Sequence, residues 1–205
     1  MKKSYIIIGA IVAVVLILVV CVASSYNGML IQEQEVDTAW GNVESQYQRR
    51  KDLIPNLERT VKAYTKHEGE TYIAVTKARS AALTAQEEAA AAGQQGAPAD
   101  DQQMQRYMDA QDNARRALDI YVNAVKEAYP DLKSSQNFAD FQAQLEGTEN
   151  RIQVAREAYN SKVKDYNIAV RRFPGVLISG MMGFQKRSMF QAEAGAQRAP
   201  QVFEE

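Results

Sequence analysis

One cysteine and one histidine stand in 205 residues. Cys21 lies inside an apolar run, so neither a disulfide framework nor a thiolate metal site can be built within one chain. His67 is followed by Glu68, which suggests metal binding. The sequence then continues Gly69-Glu70-Thr71 and lacks the second histidine of a zinc-protease helix. Di-iron bundles need two Glu-x-x-His motifs, and here Tyr64 occupies the Glu position before the lone histidine. A Gly-x-Ser-x-Gly elbow is missing, as are Gly-x-Gly-x-x-Gly and Gly-Lys-Ser/Thr loops, which disfavours nucleophile and nucleotide chemistry. Basic excess is missing too. Taking Lys2 and Lys3 from the 24 basic residues leaves 22 against 25 acidic ones, no field for nucleic acid. With only 5 prolines and 11 glycines beside abundant Ala, Gln, Glu, Lys, Arg and Val, the composition predicts an all-α chain.

What is present begins at the N-terminus. No charge occurs from Ser4 to Gln32, and Tyr5 to Ala23 is almost wholly Ile, Val, Leu and Ala. Those 19 residues make roughly 28 Å of helix at about 1.5 Å each, enough to cross a bilayer. Small residues at Cys21-Val22-Ala23 and Ala23-Ser24-Ser25 leave a cleaved, secreted form as the alternative, but the apolar core exceeds the roughly 7 to 15 residues of a signal peptide. Val20 before Cys21 disfavours a lipoprotein site. Lys2 and Lys3 precede the span, and Glu33, Glu35 and Asp37 follow it. The positive-inside rule places the N-terminus in the cytoplasm and the rest outside, as a single-pass protein of the cell (inner) membrane, contacting lipid through residues 5–23.

Beyond the span, Met29, Val36, Val43 and Arg50 form one row at seven-residue spacing, with Glu33, Trp40, Tyr47 and Ile54 as a second. Only Tyr26-Asn27-Gly28 interrupts the run from the membrane, so a rigid connection is expected. Pro55 interrupts an apolar stripe that resumes with Leu57, Val61, Tyr64, Thr71, Val75, Ala78 and Ala82. A proline is tolerated in a first turn, and Asp52 can cap it, so residues 51–55 are expected to form a corner between helices; a kinked continuous helix is the alternative. Residues 89–100, AAAAGQQGAPAD, are expected as a flexible loop. Asp100 or Asp101 then caps a third helix with the stripe Met104, Tyr107, Gln111, Ala114, Leu118, Tyr121, Val125 and Ala128, ending before Pro130. In the fourth, Phe138, Leu145, Ile152, Tyr159, Tyr166 and Phe173 recur every seven residues, with Phe141, Thr148, Ala155 and Val163 between, until Pro174-Gly175. This coiled-coil-like spacing suits a long helix at a shallow packing angle. The expected fold is a single N-terminal transmembrane helix followed by an antiparallel four-helix bundle. Its parts are an anchor over 1–25, a bundle over 26–173, an amphipathic segment over 174–190 and a disordered tail over 191–205.

The motifs Tyr26-Asn27, Ala39-Trp40, Arg49-Arg50, Asp52-Leu53-Ile54-Pro55-Asn56-Leu57, Tyr64, His67-Glu68 and Ala78-Arg79 resemble the LemA family. So do Tyr129-Pro130-Asp131-Leu132-Lys133, Phe138, Leu145-Glu146-Gly147-Thr148-Glu149-Asn150-Arg151-Ile152, Ala155-Arg156, Tyr159-Asn160, Tyr166-Asn167 and Phe173-Pro174. The resemblance covers about residues 1 to 190 and implies a bacterial membrane-anchored helical bundle, in a family whose molecular function is poorly defined. Glu58, where the family usually has an apolar residue, and the Ala/Gln-rich stretch 85–103 depart from its pattern.

Arg50, Glu68, Arg79, Glu149 and Arg156 fall on or beside the apolar stripes, so paired charges across the bundle are expected, with solvated flanks as the alternative. In the segment FPGVLISGMMGFQKRSMF, Leu177, Ile178, Met181, Met182, Phe184 and Phe190 lie beside Lys186 and Arg187. Such a segment meets a membrane or a partner, or packs back across the bundle end. No catalytic, cofactor or metal residue is assigned. The expected function is a non-enzymatic membrane-anchored scaffold or adaptor, acting by self-association into a homo-oligomer and by contacts with unidentified envelope proteins. The rival is an accessory or ligand- or metal-binding domain using the charged bundle interior.

Overall fold

The computed structural model describes residues 2–65, 73–93 and 96–191. His67, Glu68 and the tail after Gln191 lie outside the described residues. Six helices follow one another: α1 (Lys2–Thr65), α2 (Ile73–Gly93), α3 (Asp101–Ala128), α4 (Pro130–Lys133), α5 (Gln136–Arg171) and α6 (Gly175–Met182). Of these, α1 is long and apolar enough near the N-terminus to cross a membrane, and its side chains from Tyr5 to Val20 are exposed.

The corner expected at Asp52 and Pro55 is not formed, because α1 runs through both to Thr65. Pro55 lies on the exposed side of the helix while Leu53, Ile54 and Leu57 are buried. A proline inside a helix costs about 3 kcal/mol, and burying each of those side chains contributes about 1.5–3 kcal/mol, so packing outweighs the break. The Asp52 carboxylate accepts a hydrogen bond from Gln48 Nε2 at 3.0 Å instead of capping a new helix. The second bundle helix therefore starts at Ile73, and its far end extends into the stretch expected as a loop, with Ala89 and Gly93 buried. Pro98 is buried as well.

Cross-helix pairs give the register. Glu35 meets Lys162, Tyr47 meets Arg156 and Arg50 meets Glu149, so α5 runs antiparallel to α1. In the same way Gln86 reaches Ala114 and Gln111 reaches Ala89, which makes α3 antiparallel to α2. Glu58 with Arg79, and Glu44 beside Gly93, order α2 against α1. The result is an up-down-up-down bundle of α1, α2, α3 and α5. Asp100 caps α3 by accepting from the Gln103 N–H at 2.7 Å, and Ser135 caps α5 by accepting from Phe138. Pro130 sits in the first turn of α4, where it loses no helical bond.

Two apolar clusters make the core. The one nearer the span gathers Met29, Val36, Trp40, Val43, Met104, Ile152, Val163 and Tyr166. The far one gathers Leu53, Ile54, Leu57, Leu118, Tyr121, Val125, Phe138 and Phe141. Phe173, expected as the last member of the α5 stripe, lies beyond the end of that helix and is 78% exposed.

Candidate functional site

Between the two clusters each bundle helix contributes one polar side chain: Arg50 from α1, Gln86 from α2, Gln111 from α3 and Glu149 from α5. Arg50 is 1% exposed, donating to the Gln111 carbonyl at 2.9 Å and to its Oε1 at 2.7 Å. Its Nη1 stands 3.6 Å from Glu149 Oε1, an ion pair longer than a hydrogen bond. Its guanidinium also lies 4.9 Å from the centre of the Tyr47 ring. Burial lowers the Arg50 pKa, and the Glu149 carboxylate opposes that fall. The Gln111 amide donates to the Ala89 carbonyl and the Gln86 amide to the Ala114 carbonyl, so the layer closes across α2 and α3.

The charges expected to form one network are divided. Arg156 joins the layer through Tyr47, donating from Nε to the phenol oxygen at 2.7 Å. Arg79 is apart from it: Nη2 pairs with Glu58 at 2.8 Å, beside Lys62 at 2.6 Å, about two turns further along α1. Lys62, with Arg79 beside it, holds the Glu58 carboxyl below the usual carboxylate range. Glu68 lies outside the described residues. Sequence reasoning counted Gln111 as part of an apolar stripe and overlooked Gln86. A glutamine at a core position of an otherwise apolar row was the available signal.

A cleft of about 380 Å³ between α1 and α2 opens onto this layer, with Glu44, Lys51, Tyr47, Gln86 and Gln111 on its walls. Burial raises the Glu44 pKa, partly offset by the Trp40 indole N–H facing it. Among the described residues no three His, Cys, Asp or Glu gather to hold a metal ion.

The second polar constellation was not foreseen. After α6 the chain runs as an extended strap over 184–191, back along the α1–α5 pair. Asn167 receives the Arg187 N–H at 2.9 Å and donates to its carbonyl at 2.8 Å. One heptad earlier, Asn160 does the same to Phe190, at 2.8 and 2.9 Å. Seven helical residues rise about 10.5 Å and three extended ones about 10 Å, so the two asparagines match the strap's register. Arg187 pairs with Glu33 at 3.1 Å, and Ser188 donates to Asp101 at 2.7 Å. Phe190 enters an aromatic box, its ring 6.0 Å from Trp40 and 5.4 Å from Tyr159.

The apolar tail residues are thereby divided. Phe190 and Ile178 are buried and unavailable to a membrane or partner, because the strap and the inner face of α6 pack into the core. Phe184 is half-buried against Tyr26. Leu177, Met181 and Met182 remain exposed.

The LemA family model matches residues 39–203, most of the chain, with both polar constellations except Glu33. The chain belongs to the LemA family. As a LemA protein with one apolar helix at its N-terminus, it is a membrane-associated helical protein. It is also similar to the magnetosome proteins MamQ 2 and MamQ 1 of Paramagnetospirillum magneticum, each 31% identical over 85 residues. MamQ of Magnetospirillum gryphiswaldense is 27% identical over 85 residues. In every case the match covers 40% of this chain and 31% of the relative, so the chain spans under a third of the length of these curated relatives.

Proposed function

We propose that this LemA protein is a non-enzymatic scaffold or adaptor, a single-pass protein of the cell membrane with its bundle on the extracytoplasmic side. It acts by self-association and by contacts with other envelope proteins. The observation that carries this reading is the unbroken α1, whose 64 residues run from the apolar span into the bundle core. At about 1.5 Å per residue it is a post of about 96 Å, which fixes the bundle's distance from the bilayer. Anchors confined to one plane also hold such bundles at high local concentration, which favours lateral association without strong pairwise contacts. The magnetosome proteins that it resembles are named for a structure and not for a reaction.

Light scattering and negative-stain images of the full chain in mild detergent, beside a shortened chain starting at Tyr26, test the proposal. A large regular assembly of the full chain supports the scaffold; monomers in both preparations refute self-association. The cleft between α1 and α2 favours a second reading, a small-molecule site above the polar layer. Reproducible thermal stabilisation by a ligand, abolished by filling the cleft at Ala90, would move the assignment there.

A further inference from the structure

The geometry points to α6 as a membrane foot: its outer face, with Phe173 before it, enters the leaflet of the bilayer on the bundle's side. This rests on the reading of α1 as a membrane anchor. The sequence of α6, GVLISGMM, contains no charged residue on any face. A helix apolar all round is stable only where both sides are covered. Its inner side is covered, with Gly175 against Met29, Ile178 in the core and the Ser179 hydroxyl donating to the Val170 carbonyl at 3.0 Å. The outer side is not. Phe173 is 78%, Leu177 61%, Met181 83% and Met182 54% exposed.

Position decides what covers that side. Met182 shares a groove with Val15, Leu18, Val19, Val22 and Tyr26, so α6 lies alongside the last turns of the apolar span. Phe173 and Arg172 share another with Ser24, Ser25 and Gly28, the residues just past it. A span placed in hydrocarbon therefore carries the exposed face of α6 to the depth of its own membrane boundary. The charges agree. From 166 to 192 the chain has Arg171, Arg172, Lys186 and Arg187 and no acidic residue. Arg171, Arg172 and Lys186 are exposed, placed to meet lipid phosphates while the apolar face lies deeper. The bundle then stands on two contacts, a spanning helix and an interfacial one, which together fix its tilt.

Single nitroxide labels at Val12, Leu177, Met181 and Ile120, each in the Cys21→Ala chain, test this in vesicles of phosphatidylcholine and phosphatidylglycerol. Val12 lies in the span, and Ile120 is an exposed site on α3 near the far cluster. The readout is collision of each label with oxygen against a water-soluble nickel chelate. Oxygen should exceed nickel several-fold at Val12 and by a smaller factor at Leu177 and Met181, with the reverse at Ile120. Val12 embedded with Leu177 and Met181 behaving like Ile120 would overturn the foot and leave the anchor. Shielding of Leu177 and Met181 from both reagents would put a second protein there instead of lipid. An aqueous Val12 would overturn the anchor itself, and the foot with it.

Discussion

Replacing Arg50 by methionine, which keeps the length of the stem and removes the charge, tests whether the polar layer is held as a unit. Arg50 is 1% exposed and makes two hydrogen bonds to Gln111 of 2.9 and 2.7 Å. A hydrogen bond to a charged group contributes about 1.5–3 kcal/mol. Against that stands the desolvation of a buried guanidinium, which the substitution recovers. Glu149, at 3.6 Å and with its side chain 33% exposed, can turn to water once its partner is gone, so it adds little to the loss. The net cost is about 3 kcal/mol, at the low end of what breaking a buried pair entails. For a chain of this size each kcal/mol moves the melting temperature by about 2–4 °C, which predicts a fall of roughly 6 to 12 °C for Arg50→Met. Gln111→Leu alone should cost less, about 1–2 kcal/mol, since it removes the Oε1 acceptor and leaves the guanidinium its bond to the backbone carbonyl. Because the two changes together remove both partners of the Oε1 bond, the double variant should recover about 1 kcal/mol or more of the summed loss. The assay is urea and thermal unfolding of the full chain in detergent, followed by circular dichroism. Additivity within about 0.5 kcal/mol would refute the reasoning, because it would mean that Arg50 and Gln111 do not depend on each other.

At the turn into α6, a Cβ at Gly175 would run into the Ala169 carbonyl oxygen. Gly175→Ala should therefore cost about 1–3 kcal/mol and speed amide exchange at Ser179; an unchanged exchange pattern would contradict the close approach. Asn167→Ala removes both bonds to the Arg187 backbone, and trypsin should then cut after Lys186 and Arg187 several times faster at unchanged helix content. Burial raises the phenol pKa of Tyr107, Tyr121, Tyr159 and Tyr166, that of Tyr121 and Tyr166 to about 12 from an ordinary 10.0. The unfolded chain thus loses these protons first. Stability should hold below about pH 10 and fall as pH rises toward 12, and a melting temperature flat across that window would refute it. Glu44→Gln should raise the melting temperature at neutral pH and leave it unchanged at pH 4, because burial disfavours the ionised carboxylate.

Helix content and the core rows were legible because seven-residue spacing survives any local detail. Met29, Val36, Val43 and Arg50 are all buried, as are Phe138, Ile152, Tyr159 and Tyr166. The same spacing concealed where the chain turns. The rows run 43, 50, 57, 64 and 40, 47, 54, 61 straight through Pro55, where α1 continues, and on through 68, 75, 82 and 89, across the interval between α1 and α2. A period with no phase change cannot locate a joint, and a proline within the row does not mark one either, since α1 runs through Pro55. The polar layer was half legible, since charge on a stripe identified Arg50 and Glu149, while Arg79 satisfied the same criterion and pairs elsewhere. That the segment packs back on the bundle was one of the two expected readings, but the place where the strap docks had no legible signal. Asn160 and Asn167 are good motif residues, but an asparagine on a helix surface does not announce that an extended segment from twenty or thirty residues later will dock on it.

Why the bundle is completed by an extended strap at the membrane end follows from helix lengths. Gly93, the last residue of α2, stands against Glu44, and Asp101, the first of α3, stands against Ser188. Below that level α1 and α5 continue toward the span; Trp40 still meets Tyr107 of α3, but the 14 residues 26–39 of α1, about 21 Å, run on past the ends of α2 and α3 beside α5 and α6. Met29, Val36 and Tyr166 would be left with an open side. A further helix is about 10 Å wide, whereas a single extended chain is about half that across and fits the shallow channel between two helices. An extended chain brings unpaired N–H and C=O groups into a partly buried place, at a cost if they stay unmet. The amide of asparagine supplies one donor and one acceptor, the complement of a peptide group. Two of them a heptad apart satisfy the strap at Arg187 and Phe190, and Phe190 fills the aromatic box between them and α3. The asparagines therefore make a strand-like edge on a helix, and α6 is tied down at both ends: by the close turn at Gly175 and by this ladder.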